Sequence, residues 1–167
     1  MAQIIKSNIH IDLNPIPTQE TTVSVQYSSY PLSYFGFNIP VALITVPLDK
    51  NDLAVKTKLV VAHFDTGASA TCIDEELANE LELMAIGMDV IQTANGAKDV
   101  KQYMVDVEFP NTMLKGYRLI VNSCNLPYMP NSSELNNSNF GLLLGRDIMA
   151  NWNIVWNGPS STVIISD

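Results

Sequence analysis

Residues 59–69 read LVVAHFDTGAS and place an ionisable carboxylate, Asp65, at the end of an apolar run. A carboxylate at the tip of a buried strand costs free energy unless the protein uses it. Gly67 allows the backbone to turn sharply or to approach another group closely, and the hydroxyl of Thr66 can tie the loop to a neighbour. The stretch therefore predicts a buried strand that ends in a rigid carboxylate able to hold a water molecule.

The composition is that of a folded chain with one hydrophobic core. The 167 residues are 47% hydrophobic and 16% charged, which suits a single globular domain rather than a disordered segment. Nine basic and seventeen acidic residues give a formal net charge of −8. This excess of negative charge argues against nucleic acid and against an anionic membrane surface as partners.

Cysteine usage gives no sign of a metal or cofactor site. Cys72 and Cys124 form no CxxC pair and no cluster with metal-ligand spacing, so they predict no metal site. Reduced buried thiols are the favoured interpretation, and a single disulfide is the alternative. The N-terminus lacks a charged segment followed by an apolar one, and no apolar stretch approaches the ~20 residues that span a membrane. We therefore expect a cytoplasmic protein.

Short alternating apolar segments predict an all-β chain with one or two short helices. The strands are predicted at residues 9–13, 23–27, 41–48, 58–64, 90–93, 100–109, 117–121, 140–145, 154–156 and 162–165. A change of period predicts a helix over 74–82 capped by Asp74, and Asp147 is expected to cap a second helix over 148–151. Residues 122–139, rich in Asn, Ser and Pro, are predicted to form a long loop.

Three elements, in this order, resemble those of a retropepsin, the single-domain aspartic protease of retroviruses and its cellular and bacterial relatives. The apolar strand with Asp65, Thr66, Gly67 and Ala68 looks like the catalytic loop. The hairpin that contains Thr93, Ala94, Asn95 and Gly96 resembles the flap that closes over substrate. Residues 142–147, which include Gly145, Arg146 and Asp147, resemble the structural element that packs beneath the active site.

The resemblance covers about residues 40–167 and implies an all-β closed barrel of acid-protease type. It divides the chain into an N-terminal extension, residues 1–36, whose role the sequence does not indicate, and a protease domain, residues 37–167. The implied activity is that of an aspartic endopeptidase, which acts on peptide or protein substrates without metal or cofactor. Thr66 is implied to hydrogen-bond across a dimer.

The chain contains one Asp-Thr-Gly and no Asp-Ser-Gly. Aspartic proteolysis needs two carboxylates about 3 Å apart that share one proton, because like charges at that distance cannot both ionise easily. If Asp65 performs this chemistry, a second copy of the chain must supply the second carboxylate. The expected active form is therefore a homodimer in which two Asp65 side chains hold one water molecule.

The sequence also departs from the retroviral pattern. Retroviral enzymes often carry an acid after Asp-Thr-Gly-Ala that pairs with the arginine, but here Ser69 and Ala70 follow. Some other group must therefore satisfy Arg146, which we expect to be structural rather than catalytic. His63 shares a strand face with Asp65 and is a candidate for the substrate cleft, as is Leu143. For His63 the alternative is a hydrogen-bonded histidine in the wall of the barrel.

Several other interpretations of these residues stay open. Asp65 alone is compatible with a turn aspartate that caps its own backbone, and Asn95-Gly96 is compatible with a plain hairpin turn. Residues 65–71 also resemble the first phosphate loop of actin-like ATPases, but that fold needs a second such loop and more than twice this length. The main alternative function is a retropepsin-fold dimerisation or peptide-binding module with little or no catalytic activity.

Overall fold

Strands dominate the parts of the chain that the computed structural model describes, which are residues 10–12, 23–26, 36–48, 55–93, 96–112, 114–130, 139–160 and 162–167. These parts contain eleven strands and two short helices, so the predicted all-β class is confirmed. In chain order the strands are β1 (His10–Asp12), β2 (Val23–Gln26), β3 (Asn38–Thr45), β4 (Thr57–Phe64), β5 (Cys72–Asp74), β6 (Gly87–Thr93), β7 (Gly96–Glu108), β8 (Tyr117–Cys124), β9 (Leu142–Leu144), β10 (Asn153–Asn157) and β11 (Thr162–Ser166). Helix α1 (Glu75–Glu80) follows β5, and helix α2 (Arg146–Met149) follows β9.

The larger sheet closes on itself as a ring of strands. Its order is β3-β4-β9-β5-β8-β7-β6, and β3 also pairs with β7, so the closure expected of an acid-protease fold takes the form of this ring. Alternate residues of each strand point inward, as in β7, where Tyr103, Val105 and Val107 are buried. Each such side chain contributes about 1.5–3 kcal/mol when fully buried, which makes this interior the main source of stability.

The short strand β9 holds the ring together next to the loop that carries Asp65. It pairs in parallel with the end of β4, where Phe64 lies opposite Leu144, and antiparallel with β5, where Ile73 lies opposite Leu142. The loop of residues 65–71 therefore connects the two strands that flank β9. Because both flanking strands pair with β9, the loop begins and ends at fixed positions.

Helix α1 begins as the sequence predicts. The carboxylate of Asp74 accepts hydrogen bonds from the N–H groups of Glu76 (2.9 Å) and Leu77 (3.4 Å), as an N-cap aspartate does. Its other oxygen accepts from the N–H of Leu126 at 2.7 Å. The side chain of Asp74 is buried, and these three donors compensate for its loss of water.

The predicted start of helix α2 is wrong. The helix covers Arg146–Met149 instead of residues 148–151, and its N-cap residue is Gly145, which makes no side-chain capping bond. Asp147 lies inside the helix, and its carboxylate accepts hydrogen bonds from Thr71. The same carboxylate also accepts from the N–H of Ile148 at 2.9 Å, so it binds a distant residue as well as its neighbour in the helix.

A second, smaller sheet joins the two ends of the chain in the order β1-β2-β11-β10. Strand β11 pairs with β10 on one edge and with β2 on the other, so both of its edges are used within the chain.

The predicted strands at 9–13 and 23–27 are found as β1 and β2, and the other residues of 1–35 lie outside the described parts. The loop predicted at 122–139 begins later than expected, because β8 continues to Cys124. Residues 131–138 of this loop lie outside the described parts of the chain. Where the structure describes the chain, no helix is long and apolar enough to cross a membrane.

Gly145 packs tightly against the loop of residues 65–71. A Cβ atom added at Gly145 would lie 2.5 Å from the carbonyl carbon of Ala70 and 2.9 Å from the backbone nitrogen of Thr71. Both atoms belong to the backbone, so a small side-chain movement cannot relieve the clash. Only glycine fits here without a shift of the loop.

We expect Gly145→Ala to lower the free energy of unfolding by more than about 2 kcal/mol, since overpacking against backbone must displace the main chain. Urea denaturation checks this. The matched control is Gly158→Ala, where the nearest atom to an added Cβ is 3.9 Å away, and it should be near neutral. Equal stability of the two variants would show that the close passage at Gly145 is not a constraint.

Candidate active site

The carboxylate of Asp65 is held by the backbone of its own loop. The N–H of Asp65 donates to the carbonyl of Leu144 at 3.1 Å, which ties the residue to the end of β9. Its Oδ1 accepts a hydrogen bond from the N–H of Gly67 at 2.8 Å. A Cβ atom at Gly67 would lie 3.0 Å from that oxygen, so glycine gives the carboxylate room. The turn therefore presents a carboxylate in one orientation.

Arg146 also forms hydrogen bonds to the loop of residues 65–71. Its backbone N–H donates to the carbonyl of Ala68 at 3.0 Å, and its guanidinium Nη1 donates to the carbonyl of Thr66 at 2.9 Å. Main-chain carbonyls thus accept the hydrogen bonds of Arg146, in place of the acid that is absent at residues 69–70. Sequence reasoning missed these acceptors because every residue carries a carbonyl, so no residue type marks them.

Thr71 and Asp147 form a second connection between the loop and helix α2. The Thr71 hydroxyl donates to Oδ1 of Asp147 at 2.8 Å and accepts from the N–H of Gly145 at 3.1 Å. The Thr71 N–H donates to Oδ2 of Asp147 at 2.8 Å. Thr71 is 0% exposed, so its hydroxyl satisfies groups that water cannot reach. The sequence analysis did not identify Thr71, because the pairing spans 76 residues.

Asp65 lines a cavity of about 520 Å³. The lining includes the loop, with Gly67 and Ala68, and strand β6 of the predicted flap. Of the residues predicted at the site, Asp65, Gly67, Ala68 and Leu143 line this cavity. The remaining lining residues are Ser69, Ala70, Cys72, Asp89, Val90, Ile91, Gln92, Asn122, Cys124 and Leu126.

The predicted flap is an antiparallel hairpin of β6 and β7, in which Thr93 lies opposite Gly96. The Thr93 hydroxyl donates to the carbonyl of Gly96 at 2.9 Å. Gly96 has a φ of +106°, a conformation that favours glycine. Ala94 and Asn95, the predicted tip, lie outside the described residues. The hairpin geometry is compatible with a flap and with a plain turn.

His63 lies beside the cavity rather than among the residues that line it. Its ring stacks on Phe140, with centroids 4.9 Å apart, and its Nδ1 lies 2.6 Å from Oδ1 of Asn38. Gly36 packs so closely on the ring that an added Cβ would lie 2.7 Å from Cε1. Burial lowers the pKa of His63, and the nearby charge of Asp65 opposes that shift. These contacts describe a packed, hydrogen-bonded imidazole.

Cys72 and Cys124 are both free thiols, half-buried, and both line the cavity. A hydrogen bond from Cys124 lowers the pKa of Cys72, although burial opposes the shift. The same hydrogen bond, together with burial, raises the pKa of Cys124. The described residues contain no group of three His, Cys, Asp or Glu side chains that could hold a metal ion.

The sequence matches a known protein family. Residues 46–148 match the family described as aspartyl protease, which is well over half of the chain. The chain therefore belongs to the retropepsin-like aspartyl protease family. Among curated proteins, none matches the chain. The matched segment contains the loop of Asp65, the β6–β7 hairpin and the Gly145-Arg146-Asp147 element.

Thr71→Val should lower the free energy of unfolding by about 2 kcal/mol, because the buried N–H of Gly145 loses its acceptor. The matched control, Thr71→Ser, keeps the hydroxyl and loses one methyl group, worth about 0.8 kcal/mol. Urea denaturation of both variants measures the difference. If Thr71→Ser were as damaging as Thr71→Val, the hydroxyl would not be the stabilising group.

The two thiols should differ in reactivity. Because its pKa is lowered, Cys72 carries more thiolate at pH 8 than Cys124 does, and thiolate is the form that reacts. We expect iodoacetamide to modify Cys72 first, as measured by peptide mass spectrometry over time. In Cys124→Ala, which removes the thiol that lowers the pKa of Cys72, alkylation of Cys72 should slow. Faster modification of Cys124 in the unaltered protein would contradict this assignment.

Proposed function

We propose that this protein is an aspartic endopeptidase that acts as a homodimer, with one Asp65 from each copy. The observation that carries the proposal is the position of Asp65: a carboxylate fixed by backbone hydrogen bonds at the wall of a cavity. Family membership supports hydrolase chemistry of this type. A loop held from both sides suits a reaction in which a carboxylate must align a water molecule.

A second copy is the proposed source of the second carboxylate. Within the described residues, the other carboxylate that lines the cavity is Asp89, and its hydrogen bonds go to Val90 and Asn122, not to Asp65. Thr66 and Gly67 are exposed, so the tip of the loop is accessible to a partner. An isologous contact at this tip would bring two Asp65 side chains together.

The surface near the chain's C-terminus offers apolar area for such a contact. Val155 on β10 lies opposite Ile164 on β11, so the two side chains share a face, and they are 57% and 37% exposed. A patch of large exposed apolar side chains is typical of an interaction surface. Since both edges of β11 are already paired, β10 and β1 are the strands that end this sheet among the described residues. Strand pairing between copies would therefore use β10 or β1.

The proposed reaction follows from two carboxylates that share one proton. The ionised Asp65 removes a proton from the bound water, and the water oxygen attacks the carbonyl carbon of the peptide. The protonated Asp65 of the second copy donates its proton to the carbonyl oxygen. The roles then exchange, the C–N bond breaks, and the leaving amine takes a proton.

Asp65→Asn should abolish cleavage of a mixed-sequence peptide library, because an amide cannot act as the base. The sharper test is a heterodimer of wild type and Asp65→Asn, isolated through two different tags after co-expression. We expect it to be inactive, since one intact carboxylate cannot form the pair. A doubly tagged wild-type dimer is the matched control.

The outcomes of this experiment distinguish a shared pair of Asp65 residues from the alternatives. An active heterodimer, or full activity in a protein that yields no doubly tagged species, would contradict a shared pair of Asp65 residues. A doubly tagged wild-type dimer that binds library peptides without cleaving them would favour the alternative of a peptide-binding module.

A further inference from the structure

Asp89 places a second carboxylate on the flap side of the cavity. In the β6–β7–β8 sheet, Asp89 lies opposite Val100, and Gln102, two residues further along β7, lies opposite Asn122. Residues directly opposite each other, and residues two apart on one strand, share a face. Asp89, Gln102 and Asn122 therefore occupy one face, and Asp89 and Asn122 line the cavity with Asp65.

A chain of side-chain hydrogen bonds holds this carboxylate. Nε2 of Gln102 donates to Oδ1 of Asn122 at 3.2 Å, and Nδ2 of Asn122 donates to Oδ2 of Asp89 at 3.4 Å. The N–H of Val90 donates to Oδ1 of Asp89 at 2.8 Å. Asn122 is only 5% exposed, so its amide is fixed by its partners rather than by water. The carboxylate of Asp89 is thus positioned, yet it stays exposed and can accept further hydrogen bonds.

Negative side chains line the cavity. Among the described lining residues, the carboxylates are Asp65 and Asp89, and none is a lysine, arginine or histidine. Among the described residues, no cation lies within ion-pair distance of Asp89. The two lysines of the hairpin interact with other residues. Lys98, which lies opposite Ile91, acts electrostatically on Cys124, and Lys101 forms an ion pair with Glu75. A cavity lined by negative charge attracts a positive side chain and rejects a negative one.

We propose that Asp89 is a specificity-determining residue, which selects peptide substrates that place a lysine or arginine side chain against the flap strand. This inference rests on the proposed function and deepens it, because it names the substrate class of the same cavity. The substrate's cation would occupy the exposed side of the Asp89 carboxylate, while Asn122 and Val90 keep the carboxylate in place. A planar guanidinium can bind a carboxylate through two parallel hydrogen bonds, so arginine should be the better of the two.

Asp99 provides a matched control within the same hairpin. It lies on the neighbouring strand β7, opposite Val90. Asp99 is exposed and does not line the cavity. Asp89→Asn and Asp99→Asn therefore remove the same charge from the same hairpin, but only the first removes it from the cavity.

The test starts with a mixed-sequence peptide library, from which mass spectrometry identifies cleaved peptides and the position at which arginine is enriched. A cleaved peptide is then compared with its isosteric analogue that carries citrulline, which is neutral, at that position. We expect the wild type to prefer arginine about tenfold in kcat/KM. The preference should fall towards unity in Asp89→Asn, persist in Asp99→Asn and weaken with added salt.

A wild type that cleaves both peptides equally, or an arginine preference that survives in Asp89→Asn, would overturn the role of Asp89 and leave the proposed peptidase activity intact. If no peptide is cleaved, the peptidase proposal fails, and binding still decides the role of Asp89. Fluorescence anisotropy then measures labelled octapeptides of apolar residues with one central arginine or citrulline. Tighter binding of the arginine peptide that depends on Asp89 supports the inference, and equal binding contradicts it.

Discussion

The passage of Gly145 against the backbone of Ala70 is the contact on which the rest of this structure depends. A Cβ atom there would lie 2.5 Å from the Ala70 carbonyl carbon, so the chain can follow this path only with glycine. The Thr71 hydroxyl bridges Gly145 and Asp147 at the same place. Because β9 directly precedes Gly145, this contact sets where β9 enters the sheet between β4 and β5.

The consequence for the site is that Asp65 needs no side-chain partner to be oriented. Its loop is attached to Leu144 at one end and to Arg146 near the other, through backbone groups and one guanidinium. Rigid backbone supports are an efficient way to hold a catalytic group, because they cost little reorganisation during reaction. Another part of the cavity lining is the hairpin, which carries Asp89. In the proposed enzyme, catalytic geometry and substrate selection would thus fall on different elements.

Short-range patterns in the sequence predicted most of the strands and helices. The apolar run 58–64, the hairpin around Asn95-Gly96 and the cap at Asp74 depend on neighbours within a few residues, and β4, the β6–β7 pairing and α1 agree with them. The start of α2 was predicted wrongly because a contact between residues far apart in the sequence is involved. Asp147 has the residue type of a cap, but Thr71, 76 residues away in sequence, binds its carboxylate. Pairings across such a separation leave no periodic signal.

By itself the sequence determined the all-β class, because strand alternation and turn chemistry are local properties of the chain. Its three motifs in order resemble a known family, and that resemblance made Asp65 the candidate catalytic residue. Only the tertiary structure decided which groups surround that residue. Carbonyl acceptors for Arg146, the bridging hydroxyl of Thr71 and the positioning of Asp89 by Asn122 all require segments that meet after folding. The physical reason is that hydrogen bonds depend on distance in space, and a closed ring of strands brings together residues far apart in sequence.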